Sequence, residues 1–328
     1  MENLSGIKQD DLYRAAQCLK SGNLVAFPTE TVYGLGADAT NPESVSRIYS
    51  VKGRPANHPL IIHASSLKLM EKWARDIPEF AFKLAKAFWP GPMTLVLPRS
   101  ILAKDFITGS QETVGFRIPG NKHALNLLEN FESIGGLGVA APSANRFGAV
   151  SPTSALDVQS DIGKYLTEKD MILDGGDCEI GIESTIIDCT KSVPLILRPG
   201  AINPKNISTA TGLESKYKTK YKGRGSIRVS GMLKNHYAPN AQIILNGSPA
   251  LGDGFIALHD ISTPVGAIRL SSPRNSTEFA KILYRSFRLG DLMHLNRIIV
   301  IPPVEDELSI AILDRLEKAS YKDKFDRN

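Results

Sequence analysis

The sequence has few cysteines and no long apolar run. Its three cysteines, Cys18, Cys178 and Cys189, are isolated and lack paired spacing. This argues against a disulfide framework and against a zinc knuckle, and it fits a reducing compartment. No apolar run approaches the ~20 residues that span a bilayer, and the polar start, residues 1–11, has no signal-peptide pattern. We therefore expect a cytoplasmic protein that is not embedded in a membrane.

Charge and composition are those of an ordinary globular protein with a small excess of cations. Lysine and arginine number 39 and aspartate and glutamate number 34, which gives a net charge of +5. This excess favours phosphate-bearing or polyanionic partners, but only weakly. A chain of 328 residues has room for one core, although two domains are the better expectation.

Alternating strand and helix patterns predict an α/β catalytic domain over residues 1–210. Asp10 is the expected cap of a first helix, and Asn41 followed by Pro42 is a strong start signal for a second. Short apolar runs bounded by turn residues predict buried strands. These strands are expected at residues 24–27, 60–62, 94–97, 114–118, 137–141, 171–173, 185–188 and 195–197.

The composition changes between residues 211 and 240. Within this part, residues 215–236 hold seven basic side chains, no acidic one and several glycines. We interpret the segment as a basic interdomain linker. The strand and helix pattern then resumes over residues 241–328 and predicts a small Rossmann-like α/β domain. That domain has no G-x-G-x-x-G turn after a strand, so no dinucleotide site is assigned to it.

The first candidate site begins where the strand ending at Phe27 meets a hydroxyl-rich turn, Pro28–Thr31. Gly34 and Gly36 follow, and we interpret them as a glycine turn where backbone approaches a ligand closely. A hydroxyl turn and glycines at a strand end are suited to holding a small molecule. The pattern predicts a ligand site at this end of the strand.

Three donors to anionic oxygen follow within seven positions: Lys52, Arg54 and His58. Arginine binds a carboxylate or phosphate through two hydrogen bonds, whereas lysine acts as a mobile point charge. An isolated K-x-R pair is more often a solvated surface feature. The glycine and prolines around this pair, and the hydroxyl turn upstream, favour an anion site instead.

Other polar groups lie at the ends of predicted strands, each with a structural alternative. Ser143 and Asn145 follow a strand, as in α/β ligand crevices, although turn-making explains them equally well. Ser151 before Pro152 has the alternative role of a helix N-cap. A lone arginine before Pro-Gly, as at Arg198, is more often structural. The pair His236–Tyr237 closes the linker, with a hinge as the alternative.

Eight motifs together resemble one family. They read PTETVYGLG, KGRP, WPGPMTLVL, VGFRIP, APSANRFGAVSPT, GIESTIID, ILRPG and HYAP. They occur in the order found in the YrdC-like L-threonylcarbamoyladenylate synthases, and the match runs from about residue 21 to residue 200. Each motif alone is weak, but eight in register over two hundred residues are specific. The basic linker and small C-terminal domain resemble the long form of the family.

The resemblance implies a fold and an activity. The fold is a YrdC-like twisted mixed sheet with helices, enclosing a basic cavity. The enzyme is a nucleotidyltransferase that makes threonylcarbamoyl-AMP and pyrophosphate from L-threonine, bicarbonate or CO2, and ATP. Mg²⁺, held mainly by the ATP phosphates, is the expected cofactor. Downstream tRNA threonylcarbamoyl-transfer proteins use the product to modify the adenosine beside the anticodon.

The resemblance also implies roles for individual residues. Arg117 in VGFRIP matches the arginine that binds the threonine carboxylate, and Lys52 and Arg54 are the expected catalytic cations. Position 58 is often asparagine in relatives and is histidine here, so the resemblance does not fix its contact. The L-threonine pocket is expected at Thr31, His63, Arg117, Ala141 and Ser184, and the ATP site at Lys52, Arg54, His58, Thr113, Ser143, Asn145, Ser151 and Arg198.

The mechanism needs no obvious general base if the threonine amine attacks CO2 or bicarbonate after desolvation. The carbamate oxygen then attacks the α-phosphate, while Lys52, Arg54 and Mg²⁺ neutralise charge. The glycines of the linker and its position between domains suggest a lid over the cavity, which adds His236 and Tyr237 to the expected nucleotide site.

Two other functions are weighed against the synthase. A cavity of this fold can hold double-stranded RNA, and the basic linker could assist a binding module without turnover. Against it, the linker has only Tyr217 and Tyr221 as aromatics before HYAP, and the chain has no RNA-binding signature. YrdC-like domains also occur in carbamoyltransferases, but the accessory regions expected there are absent from the sequence.

Overall fold

Two β-sheets organise the part of the chain that the computed structural model describes, which is residues 7–217, 227–232, 236–304 and 306–321. The larger sheet has ten strands and mixes parallel with antiparallel pairs. The smaller sheet has four strands, all parallel. These two mixed α/β units confirm the predicted fold class. The middle of the predicted linker, residues 218–226 and 233–235, lies outside the described residues.

The strands of the larger sheet lie in the order β10-β9-β8-β4-β5-β3-β6-β2-β1-β7. Every strand predicted in this unit is found, with ends shifted by at most two residues. The strands are β1 (Val25–Phe27), β2 (Gly34–Asp38), β3 (Ile61–His63), β4 (Met93–Pro98), β5 (Thr113–Arg117), β6 (Val139–Ala140), β7 (Met171–Ile172), β8 (Thr185–Asp188), β9 (Leu195–Arg198) and β10 (Lys216–Tyr217).

Helices cover this sheet and bury their apolar stripes against it. β10 belongs to the first residues of the predicted linker and extends the large sheet beyond residue 210 by pairing with β9. The position of the domain boundary stays a prediction. The helices are α1 (Gln9–Lys20), α2 (Pro42–Lys52), α3 (Leu67–Trp73), α4 (Glu79–Phe88), α5 (Asp105–Thr108), α6 (Lys122–Ser133), α7 (Ala155–Ile162) and α8 (Pro204–Thr211).

The structure corrects the glycine turn predicted at Gly34 and Gly36. Both residues belong to strand β2, which pairs with β1 in antiparallel register. A Cβ added at Gly36 would lie 2.8 Å from Val139 Cγ1 and 2.9 Å from Phe27 Cε1. The absence of a side chain therefore lets neighbouring strands and their side chains close over β2. The prediction was wrong because glycine is depleted in strands and more often marks turns.

The two helix-start predictions have different outcomes. Asn41 caps α2 as predicted, because its side chain accepts hydrogen bonds from the backbone N–H groups of Glu43 and Ser44. Asp10 is not a cap, since α1 already begins at Gln9 and its N-cap position is Lys8. Asp10 instead lies in the first turn, where its charge complements the positive end of the helix dipole.

The smaller unit has the predicted parallel sheet, in the order β11-β14-β12-β13. Its apolar core includes Val32, Val150 and Ile182 of the larger unit, so the two units share one buried cluster. Among the described residues, no helix has the length and apolarity needed to cross a membrane. The elements are β11 (Gln242–Leu245), β12 (Gly254–Ile256), β13 (Ile268–Ser271), α9 (Ser276–Leu292), β14 (Arg297–Val300) and α10 (Glu307–Ser320).

The backbones of the two units approach each other closely at Gly181. Its φ of 82° lies in the left-handed region, and a Cβ there would lie 2.5 Å from the Cα of Lys281 in α9. Only glycine satisfies both the dihedral angle and the close approach. The segment that continues into Glu183 and Ser184 is therefore pressed directly against the smaller unit.

The role of Gly36 gives a stability prediction. Gly36→Ala should lower the free energy of unfolding by about 1–3 kcal/mol, because the added methyl overpacks the contact with Phe27 and Val139. Gly34→Ala is the matched control in the same strand, since its Cβ would meet Ala141 and Phe27 at an ordinary 3.4 Å. Urea unfolding of both variants measures the difference, and equal losses would contradict the assignment.

Candidate active site

A cavity lies at one edge of the larger sheet and encloses about 620 Å³ of empty space, its solvent-open part included. Strands β3 and β5 run parallel, so their last residues, His63 and Arg117, lie side by side at this edge. Ser184, before β8, and Arg198, at the end of β9, meet there because these strands are antiparallel. We call this space the basic cavity.

Twelve of the fifteen predicted site residues line the basic cavity. Sheet topology thus brings together motifs that are up to two hundred residues apart in the sequence. The ligand role of each residue stays a prediction. The twelve are Thr31, Lys52, Arg54, His63, Arg117, Ala141, Ser143, Asn145, Ser184, Arg198, His236 and Tyr237.

Lys52 is almost fully buried at the end of α2. Its Nζ donates hydrogen bonds to the carbonyl oxygens of Ser143 at 2.6 Å and Asn145 at 2.5 Å. Burial lowers the pKa of Lys52 well below its usual value, and the nearby charge of Arg54 lowers it further. An anion in the cavity would offset both effects and hold the ammonium form. Lys52 therefore holds the Ser143–Asn145 loop in place through its two hydrogen bonds. An anion beside it would stabilise its charged form.

Arg54 and Arg198 are two further buried cations of the cavity wall. Nη2 of Arg54 donates to the Pro59 carbonyl at 3.0 Å and to Ser230 Oγ at 3.1 Å. Arg198 donates to the Ser184 carbonyl from Nε at 3.0 Å and from Nη2 at 2.9 Å. Burial lowers the pKa of Arg54 to about 10. These guanidinium groups are held by wall oxygens in fixed orientations.

Arg117 is held from one side. Its Nη2 forms an ion pair with Glu30 Oε1 at 2.8 Å and donates to Thr31 Oγ1 at 3.0 Å. Its Nε has no hydrogen-bond partner within the described residues. The PTET turn thus sets the orientation of the guanidinium, and it leaves donor capacity unused at the Nε–H group. A carboxylate is the natural partner for that capacity.

His63 lies beside Arg117 and is buried as a neutral ring. Its Nδ1 is 3.2 Å from the carbonyl oxygen of Ile61. Burial, together with the nearby charge of Arg117, lowers the pKa of His63 to about 3. The imidazole therefore carries no charge at neutral pH. Arg117 is the cation at this end of the cavity.

The end of the predicted linker contributes two residues, His236 and Tyr237, to the cavity wall. Ala238 pairs with Ala149 by a backbone bridge, which fixes His236 and Tyr237 against the wall. The rings of His236 and Tyr237 meet edge to face at 4.1 Å between centroids. Tyr237 has a φ of 62°. A tyrosine in the left-handed region is strained, and such residues cluster at functional sites.

Three predicted nucleotide residues do not reach the basic cavity. His58 packs edge to face against Phe147, with ring centroids 5.3 Å apart. Thr113 lines a smaller neighbouring pocket that shares Ser230 with the cavity. Ser151 is buried and donates to Glu183 Oε1 at 2.6 Å. Its alternative as an N-cap is wrong, because Ser154 caps α7.

The structure also adds wall residues that sequence reasoning missed. Phe147, Glu183 and Ser230 line the basic cavity. Phe147 and Glu183 lie inside recognised motifs, so their motif membership was an available signal. Ser230 lies in the segment predicted as a basic interdomain linker. Its contact with Arg54 depends on the tertiary placement of residues 227–232, which local sequence does not show.

Several buried polar atoms of the cavity have no hydrogen-bond partner within the described part of the chain. A buried donor or acceptor without a partner costs about 1–3 kcal/mol, so such atoms indicate a ligand. Four cations at the same wall make that ligand anionic. The atoms are Arg54 Nε, Arg117 Nε, Asn145 Oδ1, His236 Nδ1 and Tyr237 OH.

The fold and cavity define an α/β enzyme with an enclosed, cation-rich site for an anionic small molecule. Comparison with known families identifies the family to which the chain belongs. The Sua5/YciO/YrdC family, described as "Telomere recombination", matches residues 17–200. The family described as "Threonylcarbamoyl-AMP synthase, C-terminal domain" matches residues 202–320. The chain belongs to the Sua5/YciO/YrdC family in its two-domain form.

Relatives and solved structures agree with this assignment. The chain is 39% identical over 322 residues to a threonylcarbamoyl-AMP synthase of Pyrococcus abyssi, covering 93% of both chains. It is 41% identical over 238 residues to that of Bacillus subtilis, covering 72% of this chain and 67% of the relative. The P. abyssi Sua5 structure complexed with L-threonine superposes with a TM-score of 0.85 at 36% identity, covering 96% and 95% of the two chains.

Burial of His63 predicts a pH dependence of stability. The unfolded chain protonates this residue below pH ~6.5, whereas the folded protein keeps it neutral down to about pH 3. Unfolding takes up a proton between these values, so the free energy of unfolding falls as the pH is lowered. Between pH 6.5 and 4, we expect the wild type to lose about 3 kcal/mol more than His63→Gln. Urea unfolding across this range measures it, and parallel curves would contradict it.

Proposed function

We propose that the basic cavity forms threonylcarbamoyl-AMP and pyrophosphate from L-threonine, bicarbonate or CO2, and ATP. The observation that carries the proposal is the division of its buried cations into two sets. Arg117 stands with Thr31 and His63, whereas Lys52 and Arg54 stand with the Ser143–Asn145 loop and Ser230. One set suits a single carboxylate, and the other suits a chain of phosphates.

The Arg117 end is the proposed L-threonine pocket. Its guanidinium is oriented by Glu30 and Thr31, and the free Nε would complete binding of the amino-acid carboxylate. Ser184 brings a hydroxyl to the same region and shares a 2.8 Å hydrogen bond with Thr94. The related P. abyssi protein was solved with L-threonine, which supports this substrate.

The Lys52 end is the proposed nucleotide site. Burial disfavours the charged form of Lys52, and a phosphate beside it would reverse that preference. Arg54 has a free Nε for a phosphate oxygen, and the Tyr237 hydroxyl and His236 Nδ1 are free for other parts of the nucleotide. Binding ATP here would therefore satisfy buried groups that the protein alone leaves without partners.

Mg²⁺ fits this site as an ion held mainly by ATP. The described residues contain no group of three His, Cys, Asp or Glu side chains that could hold a metal alone. Mg²⁺ commonly keeps waters and substrate phosphates as most of its ligands. The Asn145 amide is oriented by two donations from Nδ2, to Arg146 O and Ala149 O, and leaves Oδ1 free to join them. The ion would neutralise phosphate charge.

In the proposed chemistry, the neutral threonine amine attacks CO2 and loses a proton to solvent. An oxygen of the resulting carbamate then attacks the α-phosphorus, and the bond to the leaving pyrophosphate breaks. The protein holds the reactants together and offsets the charge that moves onto the leaving pyrophosphate. Glu183 is a carboxylate among the described wall residues, but it already accepts hydrogen bonds from Arg315 and Ser151. It is therefore not free to act as a general base. The chain thus acts through positioning and fixed positive charge.

The fate of the product is part of the proposal. Threonylcarbamoyl-AMP is a reactive mixed anhydride, so proteins that transfer the threonylcarbamoyl group to tRNA would consume it. Three free cysteines support a cytoplasmic location. Direct RNA contact through the basic linker stays a prediction, because residues 218–226 and 233–235 lie outside the described residues.

The deciding experiment is a set of omissions. The protein is incubated with ATP, Mg²⁺, bicarbonate and L-threonine, and each component is left out in turn. We expect pyrophosphate only when all four are present. Pyrophosphate without threonine would contradict the synthase, and an RNA mobility shift without any ATP turnover would favour the binding module instead.

Removal of either cation at the nucleotide end should stop the reaction. Lys52→Ala and Arg54→Ala are expected to abolish threonine-dependent pyrophosphate release, because each removes charge that would face the phosphates. Arg47→Ala is the control, since Arg47 pairs with Asp170 outside the cavity. Its activity should stay near wild type. Wild-type release in either cavity variant would remove that residue from the mechanism, with circular dichroism confirming the fold.

Substitution of Arg117 should separate the two ends of the cavity. Lysine cannot keep the contacts with Glu30 and Thr31 and still bind a carboxylate by two hydrogen bonds. Arg117→Lys should therefore raise KM for L-threonine by about 10-fold or more, with a loss of about 1.5–3 kcal/mol of charged hydrogen bonding, and leave KM for ATP within about threefold. Equal increases in both KM values would contradict the division.

A further inference from the structure

We propose that Arg315, in helix α10 of the smaller unit, is a positioning residue for the reaction proposed above. Arg315 does not itself line the basic cavity, but it contacts two residues that do, Glu183 and Tyr237, and the carbonyl oxygen of Pro199 next to Arg198. The inference rests on the proposed function, because that function defines the geometry that Arg315 holds.

Arg315 is fully buried and grips the segment before strand β8. Its Nε forms an ion pair with Glu183 Oε2 at 2.7 Å, and its Nη2 lies 3.4 Å from the Glu183 carbonyl oxygen. The next residue is Ser184, which lines the proposed threonine pocket. Movement of the Glu183 side chain would therefore shift that wall.

The same guanidinium contacts two other walls. Nη2 donates to the carbonyl oxygen of Pro199 at 2.9 Å, directly after Arg198. The guanidinium carbon lies 5.2 Å from the ring centroid of Tyr237, a cation–π contact. One side chain of the smaller unit thus supports segments assigned to threonine, to the nucleotide and to the linker.

Glu183 is the centre of a satisfied buried network. Its carboxylate accepts from Ser151 Oγ at 2.6 Å and from the Tyr284 hydroxyl at 3.0 Å, besides Arg315. Burial by itself raises the pKa of Glu183, but the charges of Arg315 and Arg198 outweigh it and lower the pKa to about 2. The carboxylate is ionised at neutral pH, so removal of Arg315 would leave a buried charge without its main partner.

A plain domain-docking ion pair is the competing explanation, and Arg288 shows what one looks like. Arg288, in α9, donates to Asp161 at 2.8 Å and 2.7 Å and to the Val150 carbonyl at 2.7 Å. It also joins the two units, but neither it nor its partners line the basic cavity. Arg288 is therefore a matched control for docking without positioning.

Positioning by Arg315 has a thermodynamic consequence. If Arg315 holds the walls in the geometry that ligands prefer, ligands must in turn favour the docked arrangement of the two units. L-threonine and ATP together should therefore raise the melting temperature more in the wild type than in a variant lacking Arg315. A purely structural ion pair would lower the melting temperature with and without ligands by the same amount.

The test compares full-length Arg315→Met, Arg315→Lys, Arg288→Met and Tyr284→Phe in threonine-dependent pyrophosphate release. Displaced walls cost on the order of 100-fold, so kcat/KM should fall by about that factor in Arg315→Met. Arg315→Lys should recover part of the loss. Arg288→Met should stay within about threefold, although its melting temperature also falls. Tyr284→Phe should lower kcat/KM by about 3- to 10-fold, as expected when one hydrogen bond of ordinary strength is lost.

Each outcome decides the question. Equal losses in Arg315→Met and Arg288→Met, or equal ligand-induced shifts of melting temperature, would overturn the positioning role. If Arg315→Met does not fold, Tyr284→Phe decides, because it removes only a hydroxyl that donates to Glu183. Wild-type kcat/KM in that variant would then overturn the role. Absence of threonine-dependent release from the wild type would instead refute the proposed function, so the two failures are distinguishable.

Discussion

The burial of four cations around one cavity is the constraint on which the rest of the structure depends. Lys52, Arg54, Arg117 and Arg198 are each at most 7% exposed. Within the described residues, only Arg117 among them forms an ion pair, and the others are held by carbonyl and hydroxyl oxygens of the wall. Buried charge without compensation is costly, so the same contacts that make these cations tolerable also fix the wall. An anionic substrate would supply the negative charge that the cavity wall lacks. Binding of the substrate would therefore compensate the buried cations.

The smaller unit packs against the segments that form the cavity wall. Its apolar core continues into the larger unit, and Gly181 admits α9 to backbone contact. The ion pair between Glu183 and Arg315 carries the interface to the residue next to Ser184. A buried pair of this kind is weak evidence for added stability, but it is specific in its geometry. The smaller unit therefore supports the cavity wall through contacts with the segments that form it, although its own sheet contributes no residue to that wall.

Much of the fold could be predicted from the sequence because its signals are local. Asn41 before Pro42 is a helix start whose chemistry lies in adjacent residues, and it caps α2 as predicted. Gly36 was misread because its function depends on Phe27 and Val139, which only the folded sheet places against it. Ser151 shows the same limit, since its partner Glu183 is 32 positions away. The contacts that Gly36 and Ser151 make with these residues leave no trace in the local sequence pattern.

The sequence by itself determined the secondary-structure rhythm, the motif order and hence the family, because these depend on residue types and their spacing. It also supplied twelve residues of the cavity wall, ten through the resemblance and two, His236 and Tyr237, through the predicted lid. Tertiary structure decided what those residues face. Parallel pairing of β3 and β5 set His63 beside Arg117, and the placement of residues 227–232 set Ser230 against Arg54. Such contacts join segments far apart in the chain, and their energies depend on burial and orientation, which exist only after the chain has folded.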